Sequence, residues 1–154
     1  MNIKYYFERG YPYVLPACAT LLIIKADFSF INNSNLNEAL DGVITMCSLI
    51  IGFLGAILPV ILGMKNESKL VKYVFEKDVE RLFLKYIKTT LLAGILTVLI
   101  SLTLYFRADF TALKNLNILF DVWFYFVIMF LLLTYRCTSS ILELLFTDDT
   151  ELLN

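Results

Sequence analysis

The chain has 154 residues, of which 59% are apolar and 18% are charged, whereas soluble domains average about 45–50% and about 25%. A soluble protein of this size has too little interior to bury so many large side chains. The net charge of −1 and the mean hydropathy of +0.74 also exclude the basic surface that direct nucleic-acid binding requires. The composition therefore predicts an integral membrane protein.

Residue types that common catalytic and metal sites need are missing. The chain has no histidine, which removes the usual general base near neutral pH and the commonest metal ligand. The three cysteines, at positions 18, 47 and 137, are spaced too widely for a zinc or iron–sulfur motif. We therefore predict that the protein is not an enzyme and holds no metal or other cofactor.

The first apolar run extends from Tyr11 to Ile24. Its helical length is about 21 Å, which is short of a hydrocarbon core of about 30 Å. Extension toward the N-terminus predicts a span over about 7–24, with Pro12 and Pro16 either kinking the helix or marking its start. A cleaved signal peptide is the alternative, but no small-x-small site follows Ile24. We expect a retained anchor.

The second run, 43–64, carries no charge over 22 residues. It is long enough to span a membrane with some tilt. Small residues recur in it every four positions, a spacing that lets helix backbones approach closely in lipid. The sequence predicts a helix–helix contact here, within the subunit or between subunits of a homo-oligomer, through Ser48, Gly52, Gly55, Ala56 and Gly63.

The third run, 89–106, has 18 uncharged residues. Thr90, Gly94, Thr97 and Ser101 lie on or near one face of the predicted helix. Their hydroxyls can bond to the backbone one turn earlier or to a neighbouring helix. We expect contacts between helices, and a polar pore lining is the alternative.

The fourth predicted span, 118–135, contains one charged residue, Asp121. With Asn117 as the predicted N-cap, Asp121 lies about one turn into the helix, where the helix dipole favours a carboxylate and headgroup water is near. An acid within a span is also a functional candidate by default. An ion or proton site is therefore the alternative to a simple interfacial position.

The segment between the second and third spans, 65–88, is predicted to be a helical cytoplasmic connector with an apolar stripe. It either lies on the membrane surface or extends the flanking helices as a packed hairpin, which its mixture of acids and bases favours. Basic side chains predicted to contact a cytoplasmic partner or lipid headgroups are Lys77, Arg81, Lys85 and Lys88.

The C-terminal tail, 139–154, combines acidic and apolar residues. An acidic tail is repelled by the anionic inner leaflet, so contact with a protein explains its apolar residues better than contact with lipid. The residues predicted to dock, on a cytoplasmic partner or on the connector of the same protein, are Leu144, Leu145, Phe146, Asp148 and Asp149. A frayed end that contacts no protein is the alternative.

Orientation follows from the distribution of lysine and arginine. With four spans, ten of the 13 basic residues fall on the side that holds both termini and the connector. The positive-inside rule places that side in the cytoplasm. The sequence thus predicts an all-α, four-span protein of a bacterial inner (plasma) membrane with both termini in the cytoplasm.

The stretch Ile51-Gly-Phe-Leu-Gly-Ala-Ile-Leu-Pro-Val-Ile-Leu-Gly-Met-Lys65, continuing into Leu70-Val-Lys-Tyr73, belongs to two pairs of spans joined by a basic helical connector. This architecture resembles the membrane subunit of the Kiwa anti-phage system and the phage-exclusion membrane protein of the lambdoid Rex system. The resemblance implies a role in phage defence. A Kiwa-like protein would be an oligomeric sensor holding a cytoplasmic DNA-binding effector, and a Rex-like one would be an ion-conducting effector.

Together these features predict a small non-enzymatic sensor or anchor subunit of a membrane-associated complex. Its expected partners are membrane lipids, further copies of itself and a cytoplasmic effector protein, without direct nucleic-acid binding. The alternative is an oligomeric ion channel or pore-forming effector, whose polar lining would come from Thr45, Ser48, Thr90, Thr97, Ser101 or Asp121.

Overall fold

The structure is a computed structural model that describes residues 3–26, 35–64, 79–107 and 116–146, with side chains described for most of them from Gly10 onward. In these ranges all regular structure is α-helical, which confirms the all-α part of the prediction for this part of the chain. The four helices are α1 (Ile3–Lys25), α2 (Leu36–Met64), α3 (Val79–Tyr105) and α4 (Leu116–Phe146).

Three of the helices are long and apolar enough to cross a membrane. The qualifying stretches are Leu36–Ile61, Lys85–Tyr105 and Leu116–Leu142, of 26, 21 and 27 residues. They measure about 32 to 40 Å, against about 30 Å for a hydrocarbon core. The apolar stretch of α1, Gly10–Lys25, is shorter, so spanning by this helix stays a prediction.

The helices are longer than the apolar runs that predicted them. α3 begins at Val79, so the last part of the predicted connector is continuous with the third span. α4 continues through the first residues of the predicted tail to Phe146. The rest of the connector, 65–78, and of the tail, 147–154, lies outside the described residues.

The core is built by α2, α3 and α4. α3 packs against both α2 and α4, whereas α1 packs against α4. Three successive clusters of buried side chains follow the axis of the bundle, and each draws on all three core helices. The clusters are Leu36, Leu40, Leu104, Phe120 and Trp123; then Cys47, Ala93, Met129, Phe130 and Leu133; then Leu54, Ile61, Ile87, Cys137 and Ile141.

Two polar contacts identify the ends of the bundle. At one end, Nη1 of Arg107, just after α3, donates a hydrogen bond of 2.6 Å to Oδ1 of Asn37 in α2. At the other, the guanidinium of Arg136 in α4 lies near the rings of Tyr11 and Tyr86. We call these the Arg107 end and the Arg136 end. The start of α1, the start of α3 and the end of α4 therefore share the Arg136 end.

The outer surface carries large apolar side chains on every helix. Leu22, Leu49 and Leu99 are 68%, 69% and 54% exposed, respectively. Exposed apolar surface of this extent is unusual for a soluble monomer and marks a surface that contacts lipid or protein.

Candidate functional site

The polar face of α3 is enclosed by the neighbouring helices. Thr90, Thr97 and Ser101 are all fully buried. The hydroxyl of each donates a 2.8 Å hydrogen bond to the carbonyl one turn earlier, as membrane helices often do. The indole Nε1 of Trp123, in α4, donates to Oγ of Ser101 at 2.7 Å. The expected bond between helices is confirmed at Ser101, and these three residues do not line a lumen in the subunit.

The closest approach at a glycine occurs at Gly94, on the same face. A Cβ added there would lie 2.7 Å from Cε2 of Phe130 and 3.0 Å from Cδ1 of Ile51. Gly94 thus lets α2 and α4 meet α3 closely at mid-height. Helical periodicity predicted that Gly94 lies on this face but not that the helices meet there. The signal available in the sequence is that Gly94 is the one glycine of the third run.

The small residues of α2 lie on an open face. All five predicted contact residues are exposed, and no heavy atom of the described residues comes within 4 Å of a Cβ built at Gly52, Gly55 or Gly63. Oγ of Ser48 donates to its own helix, at the carbonyl of Ile44. No described helix of the same subunit packs on this face. Of the two predicted contacts, within the subunit or between subunits, the contact between subunits therefore stays a prediction. We call Ser48, Gly52, Gly55, Ala56 and Gly63 the open face of α2.

Asp121 lies in a groove between α1 and α4. The groove has a volume of about 580 Å³ and is open to the surface. Apolar atoms make up nearly all of its lining, which includes Ala17, Leu21 and Ile24 from α1 and Tyr125 from α4. Asn117 lies inside the first turn of α4 and is not its N-cap, because the helix already includes Leu116. Asp121 is therefore slightly deeper than predicted.

The Arg136 end contains a cation–aromatic cluster. The guanidinium carbon of Arg136 lies 4.2 Å from the ring centroid of Tyr86 and 5.9 Å from that of Tyr11. Within about 6 Å a guanidinium is attracted to the ring face. The cluster links α1, α3 and α4. No sequence pattern predicts this contact of Arg136, because the two tyrosines lie far away from it in the chain.

The predicted partner-binding residues converge on the same end as far as they are described. Lys85 and Lys88 are exposed on the N-terminal part of α3. Arg81 lies one turn earlier, with only its backbone described, and Lys77 is outside the described residues. The apolar tail residues Leu144, Leu145 and Phe146 form the last turn of α4, again described only in backbone, and Asp148 and Asp149 lie outside the described residues.

No group of three or more histidine, cysteine, aspartate or glutamate side chains that could hold a metal ion occurs in the described part of the chain. Cys47 and Cys137 are buried and Cys18 is exposed, all as free thiols. The chemistry of the described residues is therefore that of packing, cation–aromatic contact and one carboxylate in an apolar groove.

No protein-family model, no curated protein and no solved structure matches the chain. The resemblance to the Kiwa and Rex membrane proteins stays a prediction.

Proposed function

We propose that this protein is a membrane anchor or sensor subunit that holds a cytoplasmic effector protein at the bacterial inner membrane and has no catalytic activity of its own. One observation carries the proposal: the basic start of α3 and the end of α4, which leads into the acidic tail, share the Arg136 end of the bundle. Two segments of different charge that are far apart in the sequence thus leave the membrane domain side by side.

The Arg136 end faces the cytoplasm in this proposal. The connector and both termini contain ten of the 13 basic residues, and the positive-inside rule then orients the bundle. α1 is a short fourth span that brings the N-terminus to the same side. Arg136 of α4 contacts the ring of Tyr86 of α3 and so holds the two helices together at this end.

The two projecting segments have complementary properties for holding a protein. Lys77, Arg81, Lys85 and Lys88 attract acidic side chains or anionic headgroups, and the tail supplies apolar anchors beside Asp148 and Asp149. The open face of α2 brings copies of the subunit together, because small residues allow close helix contact where no helix of the same described subunit covers them. An oligomer would present several such ends at once, which raises avidity for one effector.

The test is retention of a soluble partner by affinity-tagged protein purified from its native host. We expect replacement of Lys77, Arg81, Lys85 and Lys88 by glutamine, or of Leu144, Leu145 and Phe146 by serine, to release a partner that the wild type retains. The matched control replaces Lys25, Arg107 and Lys114, which belong to the opposite predicted side, by glutamine, and should retain it. Equal retention by all variants, or no retained partner in the wild type, contradicts the anchor function.

Ion conduction by an oligomer is the second candidate, and the observation that favours it is Asp121 beside a groove open to the surface. Thr90, Thr97 and Ser101 are unavailable as a lining, since they are buried within the subunit. If the protein conducts, purified protein in planar bilayers should pass current that Asp121→Asn abolishes. No current from the wild type, together with partner retention, favours the anchor.

The architectural resemblance extends the proposal to phage defence, with infection as the stimulus. We expect cells that lack the protein to be plated by phage more efficiently than cells that carry it. The basic-residue variant above should plate like the deletion, whereas the matched control should plate like the wild type. Unchanged plating on deletion, across the phages that infect the host, removes the defence role and leaves the anchor role intact.

A further inference from the structure

The groove between α1 and α4 has the composition of a binding site for an amphiphile. Nearly all of its lining surface is apolar, and the one charged residue among the described residues that line it is Asp121, near the Arg107 end. The hydroxyl of Thr20, which also lines it, already donates to the carbonyl of Pro16 at 2.9 Å. The volume of about 580 Å³ falls in the range of small-ligand sites, about 300–1,000 Å³. A ligand here needs a long apolar part and a cationic group that can meet Asp121.

The direction of the groove matches a lipid that stands in one leaflet. Along α4 it runs from Ile118 past Asp121 to Phe126, and along α1 from Ile24 to Ala17. Asp121 thus lies near the start of α4, and the apolar lining continues toward the middle of the bundle. In the membrane placement of the proposed function, Asp121 is then at headgroup depth. The groove is open to the surface, and α1, which forms one of its walls, packs on α4 and not into the three-helix core. A lipid tail can therefore enter from the bilayer.

The charges at the Arg107 end determine the headgroup. Asp121 forms no ion pair with any described residue, and a carboxylate near lipid is costly without a cationic partner. Lys25, which follows the groove residue Ile24, is exposed and ends α1. Asp121 lines the groove and Lys25 lies one residue beyond it, so a carboxylate and an ammonium at this end complement a headgroup that carries both an ammonium and a phosphate.

We propose that this groove binds one phospholipid with an ammonium headgroup, such as phosphatidylethanolamine, in the leaflet at the Arg107 end. The carboxylate of Asp121 accepts hydrogen bonds from the lipid ammonium, Lys25 contacts the phosphate, and one acyl chain fills the groove along Val122 and Tyr125 to Phe126. The site rests on the membrane placement in the proposed function but is independent of any cytoplasmic partner.

The test is native mass spectrometry of the purified full-length protein with phosphatidylethanolamine or phosphatidylglycerol of identical acyl chains. We expect the wild type to retain the ethanolamine lipid about threefold to fivefold better, as for a partly exposed ion pair. Asp121→Asn should lower that ratio to about one, because the amide removes only the charge. Asp41→Asn, at an exposed acid of α2 outside the groove, is the matched control and should keep the ratio. Ala17→Phe should reduce retention of both lipids, because the ring fills the groove.

Equal retention of both lipids by the wild type, or an unchanged ratio in Asp121→Asn, overturns the site. A preference for the ethanolamine lipid that appears only in Lys114→Gln also overturns the site. It would mean that Lys114 of the same chain forms an ion pair with Asp121 in the wild type. Circular dichroism of each variant verifies that its helices are intact. A lost preference with normal partner retention overturns only the lipid site, whereas lost retention with the preference intact overturns only the anchor function.

Discussion

Gly94 in α3 and Gly52 in α2 both lie among small or hydroxyl residues at helical spacing. Gly52 has Ser48 and Ala56 four residues before and after it, and Gly94 has Thr90 four residues before it and Thr97 three residues after it. A Cβ at Gly94 would collide with Phe130 and Ile51, whereas one at Gly52 meets no heavy atom of the described residues within 4 Å. Their surroundings differ because α3 lies between α2 and α4, while the described part of α2 packs mainly against α3. Small-residue spacing therefore predicts a capacity for close contact, and the position of the helix in the bundle decides whether that contact is made within the subunit.

The largest expected effect on stability comes from replacing Gly94 or Gly52 by alanine, which adds one methyl group. Gly94→Ala should destabilise the subunit by about 1–3 kcal/mol through overpacking, whereas Gly52→Ala meets no packing penalty and should stabilise it by about 0.5–1 kcal/mol, because alanine is the better helix former. Both substitutions change helix propensity by the same amount. The difference between their effects on the free energy of unfolding therefore measures packing alone. Unfolding in mixed micelles, followed by circular dichroism, measures it. Equal effects would show that the two faces do not differ in packing.

The two serines provide the next comparison. Ser101→Ala leaves the buried indole N–H of Trp123 without its acceptor and should cost about 1–2 kcal/mol. Ser48→Ala should be nearly neutral, since the exposed Ser48 bonds only to its own helix. A double-mutant cycle of Ser101→Ala with Trp123→Phe should give a coupling of about 0.6 kcal/mol, up to about 1.7. A coupling of zero would contradict the bond.

The open face of α2 can be tested directly by enlarging its residues. Gly52→Leu with Ala56→Leu should weaken self-association about tenfold, or about 1.4 kcal/mol, while leaving the helical content of the subunit unchanged. The control pair is Leu92→Ile with Leu96→Ile, at exposed positions of α3. Analytical ultracentrifugation in detergent gives the dissociation constants. Unaltered association of the α2 variant would remove this face as the interface between subunits.

The smallest expected effect is at the Arg136 end of the same α3 face. Tyr86→Leu should destabilise the subunit by about 0.5–1 kcal/mol through the lost cation–π contact. Tyr11→Leu should have less effect, because its centroid is 5.9 Å and not 4.2 Å from the guanidinium carbon. Thermal unfolding measures both variants. A larger effect at Tyr11 would indicate that α1, and not α3, holds Arg136.

Individual residues show what sequence patterns could predict. The uncharged stretch 43–64 predicted a long apolar helix because charge in a hydrocarbon core is costly, and α2 contains it. The Thr90 and Ser101 face was predicted because helical periodicity places such residues on one side. The stacking of Arg136 between Tyr11 and Tyr86 could not be predicted, since it joins three helices whose neighbours no local pattern specifies.

The sequence alone determined that the chain is helical and rich in membrane-compatible segments, because hydropathy and periodicity are local properties of consecutive residues. The tertiary structure decided that the glycine of α3 is enclosed while those of α2 are open, and that Asp121 borders a groove formed with α1. These outcomes depend on which helices become neighbours. In an apolar chain nearly every face can pack on another, so the shapes of side chains such as Phe130, and not hydropathy, select the pairs.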